Sequence, residues 1–104
     1  MIFLETSIFT SLVTEAMDDD SYQKLQAHLV EHPDAGDLIQ HSGGLRKIRW
    51  AGSGRGKRGG SRIIYYWDMG DRILMVYLFR KNERADLTPD QLKVMRSIVE
   101  EYKK

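Results

Sequence analysis

The sequence predicts an α+β domain: a three- to four-stranded, mostly antiparallel sheet with two N-terminal helices and one C-terminal helix. Three observations carry that expectation. The spacing of apolar residues changes from helical to strand-like at Leu45, residues 73–79 are apolar throughout, and Thr88-Pro89-Asp90-Gln91 is a complete helix-start signature. At 104 residues and 41% hydrophobic content the chain is long enough for one modest core, so a single domain over residues 1–104 is expected.

Residues 1–5 read as a short first strand. From Ser7, a candidate N-cap, Ile8, Leu12, Val13 and Ala16 follow helical spacing and place a first helix up to about Met17. Asp18-Asp19-Asp20 interrupts it and supplies both the cap and the negative charge that favour the start of a second helix. Tyr22, Leu25 and Leu29 form the inner face of that helix, and Pro33 ends it. Residues 34–44, with three glycines, read as a loop. Residues 45–51 alternate, with Ile48 and Trp50 on one face and Lys47, Arg49 and Ala51 on the other. After a glycine-rich basic connection, residues 61–67 form a β-branched and aromatic strand, with Tyr65 and Trp67 expected to face inward. Residues 68–71 make a turn, and the apolar run 73–79 is expected to be buried on both sides. Beyond the Thr88 cap, Leu92, Met95, Ile98, Val99 and Tyr102 form an apolar stripe. This order places the helices largely on one sheet face and leaves the opposite face for function.

Charge is distributed unevenly behind a formal net charge of +1. Residues 1–37 hold eight acids against Lys24 alone, a net of −7, whereas residues 38–67 hold Arg46, Lys47, Arg49, Arg55, Lys57, Arg58 and Arg62 with no Asp or Glu. Seven bases without an acid repel one another unless a polyanion neutralises them, which points to nucleic acid. With no cysteine there is neither a disulfide nor a thiolate metal site. The apolar runs are shorter than a membrane span, and the first residues lack the pattern of a secretory signal. A cytoplasmic protein without a membrane partner is expected.

Several sharper motifs have blander readings. Gly52-Ser53-Gly54-Arg55-Gly56-Lys57 is superficially like a phosphate-binding loop, but Ala51 stands where the first glycine belongs and Arg58 where a magnesium-binding Ser or Thr belongs. His28 and His32 are four apart on a helix without further ligands nearby, so solvent-facing histidines are expected there and no metal or cofactor. The Tyr65-Tyr66-Trp67 run could stack bases, although strand aromatics usually belong to a core. No Ser-His-Asp set or paired-carboxylate arrangement is visible.

Three blocks carry a resemblance: Gly43-Gly44-Leu45-Arg46-Lys47-Ile48-Arg49, then Gly56-Lys57-Arg58-Gly59-Gly60-Ser61-Arg62-Ile63-Ile64-Tyr65-Tyr66, and Lys81-Asn82-Glu83 followed by Asp86-Leu87. In these the chain resembles HigB-type toxins of the RelE/ParE superfamily along nearly its whole length. The resemblance implies a RelE-like fold and a toxin of a type II toxin-antitoxin system that cleaves mRNA on the ribosome. It also implies inhibition by a cognate antitoxin of the HigA type, with a helix-turn-helix domain, and contact with operator DNA only through the toxin-antitoxin complex. Transferred position by position, it assigns the catalytic groups to Lys47, Arg49, Arg62, Lys81 and Asn82. The further bases Arg46, Arg55, Lys57, Arg58 and Arg84 are expected to contact RNA or the ribosome. RelE has a tyrosine near the start of its last helix where this chain has Thr88.

The chemistry suits a basic site. Attack of an RNA 2′-hydroxyl on the adjacent phosphorus needs a proton acceptor, a donor for the leaving 5′-oxygen, and positive charge around the phosphorane. Lys47 is the candidate base, since crowding by like charges makes a lysine easier to deprotonate. Arg49 and Arg62 are the clamps, and Lys81 is the donor. Two alternatives keep the fold or the charge but not the reaction: a ParE-like inhibitor of DNA gyrase, and a non-catalytic nucleic-acid-binding module.

Overall fold

The computed structural model describes residues 1–51, 60–80 and 86–104. In chain order these form β1 (Ile2–Glu5), α1 (Ser7–Ala16), α2 (Asp19–Glu31), β2 (Asp37–Leu38), β3 (Leu45–Trp50), β4 (Ser61–Trp67), β5 (Arg72–Arg80) and α3 (Pro89–Lys103). The sheet runs β1-β5-β4-β3-β2, with β1 parallel to β5 and the other neighbours antiparallel. It therefore has five strands among the described residues where three or four were expected. The additional strand is β2, two residues long, inside the segment read as a loop. Two residues carry too little alternation to be recognised in a sequence.

Local chemistry explains most boundaries. Asp18 caps α2 by accepting the Ser21 N–H at 2.8 Å, and the helix stops at Glu31, ahead of Pro33. The cap of α1 is Thr6 rather than Ser7: its Oγ1 accepts the Phe9 N–H at 3.1 Å. The same hydroxyl donates to the Val76 carbonyl at 2.8 Å. That carbonyl lies at an irregularity in the β4–β5 ladder, where Ile64 pairs with Tyr77 but Tyr65 pairs with Met75. One hydroxyl thus starts a helix and satisfies a backbone group displaced by a bulge. Gly60 enters β4 at φ +63°, and a Cβ there would lie 2.5 Å from the Trp50 carbonyl oxygen, so the base of the hairpin requires glycine.

Both sheet faces are covered, which corrects the expectation of helices largely on one side. On one face Phe9, Val13, Leu25 and Leu29 of α1 and α2 meet Ile48, Ile63, Tyr65, Ile73, Met75 and Leu78. On the other, Met95 and Val99 of α3 meet Leu45, Ile64, Leu74, Val76 and Phe79. The alternation of strand side chains requires two covers, because β5 is buried on both sides, as its apolar run predicted. Tyr65 is fully buried and Trp67 packs against the first cluster, both as expected. His28 is not simply solvent-facing, since its ring packs 5.6 Å from Trp50 and 5.4 Å from His32. Among the described residues no helix is long and apolar enough to cross a membrane.

Candidate active site

Residues directly opposite one another on antiparallel strands point to the same side of the sheet. The register therefore builds two rows on the α3 face. One runs Arg49, Arg62, Phe79 across β3, β4 and β5, and the next runs Asp37, Lys47, Ile64, Tyr77 across β2 to β5. The bulge keeps Tyr77 and Phe79 on this face, where both join the α3-side cluster. Lys47 and Arg49 thus share this face, as the alternation of β3 predicted, and the β3–β4 register adds Arg62 to it. Arg49 is exposed, whereas Lys47, Arg62 and Tyr77 are half-buried.

Arg46 does not join them. One residue from Lys47, it points to the opposite face, where its Nη1 donates to the carbonyl oxygens of Asp34 at 3.1 Å and Gly36 at 2.8 Å. The Tyr65 hydroxyl reaches the same segment, donating to the Pro33 carbonyl and accepting the Gly36 N–H, each at 2.8 Å. Burial pushes the Tyr65 hydroxyl above the ordinary tyrosine range, and the Gly36 N–H partly opposes that shift. A Cβ at Gly36 would lie 2.9 Å from the Tyr65 ring, so this contact also depends on a bare backbone. Arg46 was expected among the RNA contacts. Its guanidinium instead fixes the chain between α2 and β2.

An acid enters the basic face from a distant part of the chain. Asp86, just ahead of α3, places Oδ1 3.1 Å from Lys47 Nζ and accepts the Leu87 N–H at 2.8 Å. The Leu87 N–H lowers the Asp86 pKa most, burial opposes it, and the hydrogen bond and charge of Lys47 and then the charge of Arg62 lower it further. Asp86 therefore stays ionised, and the field of Arg62 reaches it. Sequence reasoning quoted Asp86 in a family block but gave it no role. The available signal was its position two residues ahead of the capping threonine.

Thr88, which replaces the tyrosine of RelE, is occupied by its cap. Its Oγ1 accepts the Gln91 N–H at 3.1 Å while Gln91 Oε1 accepts the Thr88 N–H at 3.0 Å. Lys81, Asn82, Arg84, Arg55, Lys57 and Arg58 lie outside the described residues. Among the described residues no group of three or more His, Cys, Asp or Glu side chains could hold a metal ion.

Lys47, Arg49 and Arg62, carried on β3 and β4, fall in the blocks Gly43–Arg49 and Gly56–Tyr66. The family comparison covers both blocks. Residues 14–104 match the family model described as the RelE toxin of the RelE / RelB toxin-antitoxin system. With its helices, mixed sheet and the greater part of its length within that match, the chain belongs to the RelE toxin family, within the RelE/ParE superfamily, and is the toxin partner of a toxin-antitoxin pair.

Proposed function

We propose that this toxin, acting as a single domain of the HigB type, is a ribosome-dependent mRNA endoribonuclease that inhibits translation. The observation that carries the reading is the placement of Arg49 directly opposite Arg62, with Lys47 in the adjoining row on the same face. An RNA phosphate on this face would be held by both guanidinium groups as clamps on its oxygens.

In the reaction the 2′-oxygen bonds to phosphorus while Lys47 Nζ takes the 2′-hydroxyl proton. The bond from phosphorus to the 5′-oxygen breaks, and Lys81 supplies the proton to that leaving oxygen. Arg49 and Arg62 stabilise the charge that grows on the phosphorane. The products carry a 2′,3′-cyclic phosphate or, after its hydrolysis, a 3′-phosphate. The basic residues Arg55, Lys57, Arg58 and Arg84 contribute ribosome contacts, and an acidic segment of a HigA-type antitoxin covers the basic face. Substituting a 2′-deoxynucleotide 5′ to the scissile phosphate tests the mechanism. Cleavage should disappear at that position while ribosome binding persists, and continued cleavage would exclude 2′-hydroxyl attack.

A further inference from the structure

We infer that Asp86 is a positioning residue for cleavage, acting through Lys47. The inference rests on the nuclease reading and adds a residue to it. Asp86 Oδ1 accepts from two donors of different kinds, the Leu87 N–H at 2.8 Å and Lys47 Nζ at 3.1 Å. The backbone donor is fixed by the start of α3. Leu87 packs against the α3-side core, and the Thr88–Gln91 capping box holds the following turn. The carboxylate is therefore tied to the backbone at the start of α3, and a flexible lysine meets a group already held there. Lysine loses much rotamer freedom when its head must sit in one place, and the ion pair offsets part of that cost in advance.

Charge supports the same assignment. The Leu87 N–H, Lys47 and Arg62 hold the Asp86 carboxylate in its ionised form, which makes it a poor proton carrier and a good fixed anion. When Lys47 takes the 2′-hydroxyl proton it becomes an ammonium facing that anion, so Asp86 orients the base and stabilises the cation that forms. The aspartate of a serine-protease triad acts through its histidine in the same way. The Lys47–Asp86 pair also joins two separate parts of the fold, β3 and the entry to α3, so the geometry of the reacting group depends on the C-terminal helix being docked.

Asp86→Asn tests this, because the amide oxygen can still accept the Leu87 N–H while the charge is lost. Single-turnover cleavage would be measured at saturating programmed ribosomes for wild type, Asp86→Asn, Lys47→Ala and the double variant, with ribosome affinity determined alongside. Incubations long enough to record a rate about a thousandfold below wild type keep every arm measurable. Asp86→Asn should lower the saturated rate by about ten- to a hundredfold without weakening ribosome binding. In the Lys47→Ala background the same substitution should have little effect, since the residue it acts through is gone. An equal loss in both backgrounds would mean a structural role and overturn the inference, as would an unchanged rate in Asp86→Asn. A faster Asp86→Asn enzyme would mean that the carboxylate competes with the phosphate, which also overturns it. If wild type itself leaves mRNA uncut, the nuclease reading fails, which is a separate result.

Discussion

The two faces of the sheet use the same residue types for different ends, and Arg46 and Lys47 show it most directly. They are consecutive on β3, yet Arg46 is tied to the Asp34 and Gly36 carbonyls on the α1–α2 face, while Lys47 meets Asp86 on the α3 face beside Arg49 and Arg62. On the first face a cation is held by two main-chain acceptors. On the second, two guanidinium groups lie opposite each other in a row that a phosphate would complete. Strand alternation, more than local charge density, separates a structural arginine from a candidate catalytic one.

The largest effect expected from this division is on cleavage. Arg62→Ala should lower the saturated single-turnover rate by about two to three orders of magnitude, as for other preorganised electrostatic groups. Arg46→Ala should leave that rate close to wild type and lower the thermal midpoint instead, since hydrogen bonds to a charged group are worth about 1.5–3 kcal/mol and less where water competes. If the two substitutions damage cleavage equally, the division between faces is wrong.

A smaller effect concerns the tyrosine on the structural face. Tyr65→Phe leaves the buried Gly36 N–H without its acceptor and should cost about 1–3 kcal/mol in denaturant unfolding. The sign of its pH dependence follows from the raised folded-state pKa. The hydroxyl contributes fully below the unfolded tyrosine value of about 10, and its contribution is lost as pH rises through the folded value. Wild type and Tyr65→Phe should therefore converge in stability at high pH, and a gap that widens there would contradict the assignment.

On the other face, Thr88→Ala should cost about 1 kcal/mol through loss of the α3 cap. If Asp86 is aimed by that cap, cleavage should fall by more than the fraction of unfolded protein explains. The weakest effect is reserved for the glycine-rich segment. Replacing Arg55, Lys57 and Arg58 with Ser should flatten the salt dependence of ribosome binding by roughly one unit of log slope per lost phosphate contact, with little change in the saturated rate. A large fall in that rate with unchanged binding would assign the segment to the reaction itself.

Much of this was legible in the sequence because its signals are local. The Asp18 and Thr88 caps, the Pro33 stop, the buried run of β5 and the shared face of Lys47 and Arg49 each follow from residues within one or two turns or a single strand. What escaped depended on distant chain segments. The two residues of β2 are defined only by pairing with Arg46 and Lys47, and the placement of α3 opposite α1 and α2 is a choice of side that an amphipathic stripe does not encode. Asp86 lies 39 positions from Lys47, so its ion pair is a product of the fold. The bonds of Arg46 to the Asp34 and Gly36 carbonyls span 12 and 10 positions, so they too are products of the fold.

The central claim, that the Arg49–Arg62 face cuts mRNA on the ribosome, is tested most directly by mapping mRNA ends on purified programmed ribosomes with wild-type and Arg62→Ala protein. Wild type should produce new mRNA ends within the ribosomal A site, terminating in a 2′,3′-cyclic or 3′-phosphate and absent when ribosomes are omitted. Arg62→Ala should produce them about a hundred- to a thousandfold more slowly. Intact mRNA with wild type, or ends bearing a 3′-hydroxyl, would contradict the claim, and intact mRNA together with inhibition of DNA gyrase would move the toxin to the ParE-like branch.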